Sequence, residues 1–555
     1  VERAARMESE SAPGGGGGGR LGKADALVAG AVFLAVVLVL AATCNSIGIT
    51  YDEPNYVSAS AKAWRWAELA AAGLAQGNTV AARAEVINRY WRQNHERPGF
   101  IKLWWGAWMR VGTPLGSMVQ GRLGTLVLVG LLGAAMYLWL GREHGRGVGL
   151  LAVIGLLGMP RFFFHSHLAA LDAPVAAFCL LAAWLFWRLW REPSWGKAVG
   201  AGLALGCAAG TKGNVLPGAL AIGVWWLACE RRVLGRTVLA GLVVAPVWFF
   251  VTWPWLWAAP VARLAEYATF HGKFPLLGAY LFGVMRDPAP WYTPVLMLVA
   301  TTPLLTLALA ALSIGNGRYR VWQFLALNFV LHWLYFVLPG QPKFNGVRLF
   351  LPAFPFLACL AAIGGHSLSR WVGRMVKGGM LERWGLASLC VALGIVGLRS
   401  VALSHPYELA FYNSGVGGAQ GAQRLGLESI YWGSPYLQAL PYLNKAIPPG
   451  GTMFVTPVGV MSLLETYQKG GALRGDIRIL GGRGEHLKAD VVVFQCQQSE
   501  FVDVSWALYR KGRPTFQIAY EGVPLLLAYD RAAVEQVLNR PGTERRRQAG
   551  AAGGE

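Results

Sequence analysis

The sequence is poor in charge. Only 14% of its 555 residues are Asp, Glu, Lys or Arg, against roughly a quarter in a typical soluble chain. Acidic residues are the scarcer sign, 29 against 50 basic. A chain so short of solvating groups, 54% hydrophobic and with a mean hydropathy of +0.40, does not make the two to four soluble domains its length would suggest. Cysteine is scarce too. The seven fall at 44, 179, 207, 229, 359, 390 and 496, with no CxxC and all but Cys496 in or beside apolar runs. That excludes a disulfide scaffold and a cysteine zinc site. A glycine-rich nucleotide loop is also missing: Gly417, Gly418 and Gly421 follow no strand pattern and read as turn glycines. What abounds is aromatic, with 24 Trp, 24 Phe and 18 Tyr. Together with its apolar runs, this makes the chain a polytopic α-helical membrane protein.

The runs lie near 27–47, 120–140, 147–164, 168–187, 198–212, 214–229, 236–257, 292–313, 321–339, 348–366 and 384–402. They predict about eleven transmembrane helices. The first follows Arg20 and Lys23, and its length favours a retained span over a cleaved signal peptide. Residues 1–24, with an unbroken run from Gly14 to Gly19, hold nothing that could pack and predict a disordered cytoplasmic tail. With the N-terminus inside, the inner loops are 141–146, 188–197, 230–236, 315–320 and 370–383. They hold 14 Lys and Arg against 4 Asp and Glu, and each is net positive, as the positive-inside rule requires. Much of the formal charge of +21 is thereby explained without a nucleic-acid partner. The same parity puts 48–118, 165–167, 258–290, 339–347 and 403–555 outside. That last stretch differs in kind. Strand patterns at Thr452–Val455, Asp490–Gln495 and Thr515–Tyr520, with Pro and Gly between them, predict a small extracytoplasmic α/β domain over 403–540 and a disordered tail over 541–555.

Asp52 and Glu53 follow the first span directly, in Thr50-Tyr51-Asp52-Glu53-Pro54-Asn55-Tyr56. Two adjacent carboxylates at a membrane surface are costly to desolvate without work or partners. Pro54 in a first turn would leave them near a helix's positive end, and an N-cap beside a solvated acid fits the same residues. The rest of that loop has tryptophans at 64, 66, 91, 104, 105 and 108. It predicts helices lying on the membrane surface, one from Trp64 through Leu74 and one over 100–110. Lys102 on the second is either a ligand or an interfacial anchor. Asp172 stands one turn into an apolar run that follows Arg161-Phe162-Phe163-Phe164-His165-Ser166-His167, and an ionisable residue there is a functional candidate by default. With His165 and His167 it could hold a divalent metal; a helix cap with a His–Asp bond explains the three equally well. Lys343 and Arg348, between Pro339 and Pro355, are outward cations that run against the bias of every inner loop. An anionic ligand such as a lipid phosphate would explain them, and so would pairing with Asp52 or Glu53.

Together these residues form a kit in which a carboxylate takes a nucleophile's proton and cations hold a departing phosphate. Asp52-Glu53, His165-x-His167 with Leu171-Asp172-Ala173-Pro174, and the stretch Lys343 to Pro355 resemble the integral-membrane GT-C glycosyltransferases. Within them the chain looks most like bacterial relatives of protein O-mannosyltransferases and of the lipid A aminoarabinose transferases (glycosyltransferase family 39-like). The resemblance covers roughly 27–402 and implies a GT-C transmembrane domain over 25–402, with interfacial helices in the 48–118 loop. It implies that Asp52 is the base or acceptor-positioning carboxylate and Glu53 its companion acid. It also implies that Lys102, Lys343 and Arg348 clasp the phosphate of a polyprenyl-phosphate sugar, with a lipid, glycan or protein as acceptor. Relatives often carry His-Pro-Pro where this chain has Asn94-His95-Glu96-Arg97-Pro98-Gly99. A divalent ion (Mg, Mn or Zn) at His165 and His167 stays open beside no cofactor at all. The implied setting is a bacterial inner membrane, in contact with its lipids, with the active site facing the periplasm. Two rival readings remain: a secondary transporter, hinted at by Thr211-Lys212-Gly213-Asn214 between two short runs, and an envelope scaffold acting through 403–555.

Overall fold

In the first helix the apolar positions run all the way round rather than along one stripe, and Leu27, Leu34 and Leu38 stay exposed. A helix of that kind needs lipid around it. The computed structural model describes residues 22–112, 117–375 and 379–538; the tails expected at 1–24, except its last three residues, and at 541–555 lie outside the described residues. Among those described, five helices are long and apolar enough to cross a membrane: Lys23–Ser46, Met118–His144, Asp172–Arg191, Arg231–Val251 and Trp384–Ser404. A sixth arises if Thr293–Thr301 and Leu304–Asn316, bent by 107°, count as one broken span. The expectation was about eleven. Several of the other apolar runs form helices of 12 to 15 residues, Arg146–Leu157, Trp195–Ala209, Leu216–Cys229 and Arg320–Leu334. At about 1.5 Å per residue these fall short of a bilayer core of roughly 30 Å.

The broken span bends at Thr302-Pro303. A break frees backbone carbonyls, which apolar surroundings make costly to leave bare. Asn413 meets them: its Nδ2 donates to Val299 O (2.6 Å) and Thr302 O (2.8 Å), and its backbone N–H to Ala300 O (2.8 Å).

The bundle has two chemically distinct ends. At one, Arg146–Asp25, Arg142–Glu192, Lys197–Glu192 and Arg320–Glu230 pair up; their cations belong to the loops expected inside. At the other lie Asp52, Arg122, Asp172, Lys212 and Arg348, mostly buried. The 48–118 loop there folds into Glu53–Ala75, Ala84–Trp91 and Phe100–Trp108. These dock through Trp66 and Trp91 on Trp253 and Trp255.

A two-stranded hairpin, β1 (Ala279–Leu281) and β2 (Val284–Arg286), sits in the 258–290 loop. A five-stranded sheet follows near the C-terminus: β3 (Thr452–Thr456), β4 (Arg478–Leu480), β5 (Val491–Gln495), β6 (Phe516–Tyr520) and β7 (Val523–Asp530), in the order β4-β3-β5-β7-β6. β3 runs parallel to β4 and β5, whereas β7 is antiparallel to β5 and β6. Successive residues face opposite sides of a strand. Met453, Val455, Val491 and Val493 accordingly join the same apolar core as the long helices, while Phe454, Val492 and Phe494 pack on helices Asp503–Lys511 and Arg531–Leu538. The sheet is thus continuous with the bundle's core. It also grips the segment before Asp52: Tyr467 Oη accepts from Ile49 N (2.7 Å), and Gln438 Nε2 donates to Ser46 O (2.7 Å).

Candidate active site

Residues Ser46 to Tyr51 leave the first helix and deliver Asp52 and Glu53 to opposite neighbours. Glu53 turns inward. Arg122 donates to it twice, Nε to Oε1 and Nη2 to Oε2, both at 2.8 Å. The backbone amides of Thr50 and Ala169 add 2.9 Å bonds. Arg122 spends its other hydrogens on the carbonyls of Cys44, Ile47 and Gly48. Both side chains are buried. A pair closed on itself in this way ties three chain segments together and has no atom left for a substrate.

Asp52 faces the other way. It is the N-cap of helix Glu53–Ala75, with Pro54 in the first turn, yet its side chain makes no capping bond. Its Oδ2 instead accepts from Arg348 Nη2 (2.6 Å) and Trp432 Nε1 (3.0 Å); Oδ1 has no partner among the described residues. The Nε of Arg348 reaches Asp172 Oδ2 at 3.2 Å, and Lys212 Nζ donates to Asp172 Oδ1 at 2.5 Å. Asp52, Arg348, Asp172 and Lys212 therefore form a row of alternating sign. Burial and the neighbouring charge of Asp52 push the phenols of Tyr51 and Tyr56 above their ordinary range, so both flank the row as neutral groups.

Trp432 comes from the C-terminal stretch. The Arg348 guanidinium lies 4.1 Å from its ring centroid, a cation–π contact. The residue holds φ +79° and Gly433 holds φ +87°. A bulky residue in that region is strained and persists only when its surroundings hold it. The side-chain oxygens of Gln497 and Gln495 do so, accepting from Trp432 N (3.3 Å) and Gly433 N (2.6 Å).

Of the residues singled out in the sequence, Asp52, Asp172 and Arg348 come together. Lys102 and Lys343 do not join them. Lys102 Nζ, buried, donates to the carbonyls of Asn94 (2.5 Å) and Arg97 (3.0 Å), and burial pushes it down to about 7. Lys343 Nζ caps the carbonyls of Leu338 and Gln341 at 2.8 Å. His165 and His167 diverge. Both nitrogens of His167 are engaged, with Thr43 Oγ1 and Phe163 O at 2.8 Å, while His165 lies against Trp432. Burial pushes both imidazoles down to about 3. Among the described residues no group of three or more His, Cys, Asp or Glu side chains could hold a metal ion, and Asp172 is paired with Lys212 and Arg348.

Four residues received no catalytic or phosphate-binding role from the sequence, Lys212 being named there only as a hint of a transporter. Lys212 carries the signal that picked out Lys343, an outward cation between apolar runs. Arg122 is an ionisable residue inside an apolar run. Nothing local shows what Trp432 faces, since it meets Asp52 across 380 residues. Arg97 lies over the rings of Phe270 (5.3 Å) and Phe274 (5.9 Å), and its Nε is buried without a partner among the described residues.

Residues 106–257 match the family model described as dolichyl-phosphate-mannose-protein mannosyltransferase. No curated protein matches the sequence. Among solved structures, apo ArnT from Cupriavidus metallidurans superposes with a TM-score of 0.50 at 16% identity, over 92% of this chain and 99% of that one. The same protein bound to undecaprenyl phosphate gives 0.48 at 16% identity, over 90% and 97%. The apo oligosaccharyltransferase of Archaeoglobus fulgidus gives 0.44 at 10% identity, over 83% and 69%.

Proposed function

We propose that this chain, PMT-like and of the GT-C fold, transfers a glycosyl group from a polyprenyl-phosphate sugar to a hydroxyl or amine of a lipid, glycan or protein, on the outer side of a bacterial inner membrane. The observation that carries the reading is Asp52: a carboxylate with one oxygen uncommitted, in a row with Arg348 and Lys212, whose hydrogens are not all taken by Asp52 and Asp172. The family description over 106–257, which names a dolichyl-phosphate-linked sugar, supports a lipid-phosphate donor.

The acceptor's lone pair attacks the anomeric carbon as the bond from that carbon to the phosphate oxygen breaks. The phosphate leaves with the bonding electrons, and the acceptor's proton passes to Asp52 Oδ1. One displacement of this kind inverts the anomeric centre. Charge grows on the leaving phosphate, where preorganised cations count most. Arg348 has Nη1 free of partners among the described residues, Lys212 has hydrogens beyond its bond to Asp172, and Arg97 has its bare Nε. Asp172 holds Arg348 and Lys212 at a fixed spacing, and Trp432 fixes the rotamer of Asp52. In this reading Glu53 belongs to the framework, and the phosphate ligands are Arg348, Lys212 and Arg97 in place of Lys102 and Lys343.

A transporter would need unwound backbone carbonyls facing its cargo. The carbonyls at the one bent break among the described residues are taken by Asn413, which favours transfer. The test is a labelled polyprenyl-phosphate sugar series with the purified chain in lipid. Transfer to endogenous or added acceptors that Asp52→Asn abolishes is expected; a parental rate in Asp52→Asn overturns the reading.

A further inference from the structure

Strand β3 lies between two parallel neighbours, β4 on one side and β5 on the other. After β3 the chain turns to the bundle's side of the sheet, where Val460 and Leu463 of helix Val460–Lys469 join the main core. After β5 it turns to the other side, where Val504 and Leu508 of helix Asp503–Lys511 pack. Connections that part in this way leave a crevice at the carboxyl ends of the two strands, which is where an open α/β sheet takes its ligand. Here the crevice holds Tyr51, the residue before Asp52. A Cβ added to Gly459, just past β3, would stand 3.7 Å from the Tyr51 ring. On the β5 side Tyr51 Oη donates to Gln497 Oε1 (3.3 Å).

Gln497 stands two residues past β5 and is buried. Besides Tyr51, its Oε1 accepts from Trp432 N (3.3 Å) and Gln495 Nε2 (2.5 Å). A backbone N–H can only donate, which fixes the amide oxygen on that side and the nitrogen on the other. Nε2 donates to Asn345 Oδ1 (3.2 Å) and, more loosely, to Ser499 Oγ (3.5 Å). Asn345 holds φ +55°, and its carbonyl accepts from Arg348 N (3.3 Å). One carboxamide thus joins three segments far apart in the chain, and each of them carries part of the row. Tyr51 precedes Asp52, Asn345 opens the turn into Arg348, and Trp432 both bonds Asp52 and faces the Arg348 guanidinium.

All three links are made by uncharged groups set behind the charges. Opposite charges attract without fixing their spacing, and a displacement of about 1 Å in a reacting constellation can cost roughly a hundredfold in rate. Hydrogen bonds behind the reacting groups are what hold such spacing. The next residue offers a matched comparison. Gln498 is buried too; its Oε1 accepts from Ser429 N and its Nε2 donates to Ser429 Oγ, both at 3.1 Å. It ties the same strand end to the same C-terminal segment, three residues short of Trp432.

We infer that Gln497 is a positioning residue for transfer: through Tyr51, Trp432 and Asn345 its carboxamide sets where Asp52 and Arg348 stand relative to each other. The effect on rate rests on the glycosyl-transfer reading; the effect on the geometry of Trp432 does not.

The experiment compares Gln497→Met with Gln498→Met in the full chain in nanodiscs, each removing one buried carboxamide at nearly constant volume. Both are expected to lower the melting temperature to a similar extent. With the polyprenyl-phosphate sugar that the parent turns over, Gln497→Met is expected to lower kcat about ten- to a hundredfold while KM for the donor stays within about threefold. Gln498→Met is expected to keep kcat within about twofold of the parent. Fluorotryptophan incorporation gives a reading that needs no turnover. The fluorine resonance of Trp432, identified by its loss in Trp432→Phe, is expected to move in Gln497→Met and to stay in place in Gln498→Met. Equal loss of kcat in the two glutamine variants, a loss confined to KM, or a Trp432 resonance that stays in place in Gln497→Met overturns the positioning role. Should Gln497→Met not accumulate, Gln497→Asn, which keeps the carboxamide but draws it back by one methylene, carries the same expectations. A resonance that moves in Gln497→Met alone, in a chain that transfers from no donor, would refute the enzyme reading and leave Gln497 as the group that sets Trp432. Transfer at the parental kcat in Gln497→Met would keep the enzyme and remove the positioning role.

Discussion

Asp52 and Glu53 are neighbours in the chain, yet the regions they enter are built on opposite terms. Around Glu53 every lone pair and every guanidinium hydrogen has a partner, and the assembly is closed to water. Around Asp52 the charges are paired but not exhausted: one carboxylate oxygen, one arginine nitrogen and part of a lysine remain open. The contrast separates two uses of a buried ion pair. A saturated pair fixes chain segments and is expensive to break. An unsaturated row keeps its charge available to a ligand. Exposure alone hardly distinguishes them, since Asp172 and Glu53 are both almost fully enclosed.

The largest effect that would test this contrast is at the two carboxylates. Asp52→Asn is expected to cost about 10²–10⁴ in transfer rate while thermal melting matches the parent. Glu53→Gln leaves Arg122 an unpaired buried charge and is expected to lose about 3–5 kcal/mol of stability, read as a lowered melting point and poor accumulation. If Glu53→Gln is stable but inactive and Asp52→Asn is active, the two regions have been assigned the wrong way round. Next comes Arg348→Lys, which keeps the charge but cannot bridge Asp52 and Asp172 at once. It is expected to lower kcat/KM roughly ten- to a hundredfold. Trp432→Phe keeps a ring under Arg348 and removes only the N–H to Asp52. A drop of about tenfold in kcat with little change in KM for the donor is expected, and a parental kcat would show that the indole bond is incidental.

The smallest effects are at the cations turned away from the row. Lys343→Met should leave transfer near the parental rate, because its ammonium caps its own loop. Lys102 offers a pH test. Burial lowers it to about 7, so between pH 7 and 10 the unfolded chain binds a proton that the folded one does not. Stability therefore rises with pH across that window. Lys102→Met should flatten the rise in melting curves taken from pH 7 to 10, and an unchanged slope would mean that the buried amine stays charged.

The membrane character, the basic loops and the strands near 452, 491 and 516 were legible because each rests on local periodicity or local charge. β7 was missed although Tyr520-Glu521-Gly522-Val523 carries a hairpin sign: Glu521 and Gly522 both have positive φ, +48° and +77°, as a tight two-residue turn requires. Asp52, Asp172 and Arg348 were legible as charges out of place. Which of them meet was not, because charge bias says where a residue lies and nothing about what faces it. Lys343 and Arg348 looked alike by that criterion, and only the bond of Arg348 to two acids separates them. Of the eleven apolar runs, five or six form helices long and apolar enough to cross a membrane among the described residues, and hydropathy marks helices buried in protein as readily as those facing lipid.

The Asn413 bridge bears on how the chain is made. The broken helix leaves the ribosome 111 residues before the amide that completes it, which at about 5–20 residues per second is roughly 5–20 s of synthesis. For that interval its carbonyls face a medium in which each bare group costs several kcal/mol. Water or a membrane insertase has to shield them until the later segment arrives. Biogenesis of the bundle is therefore not finished when the last membrane segment is inserted; it closes only when residue 413 is drawn back into the break.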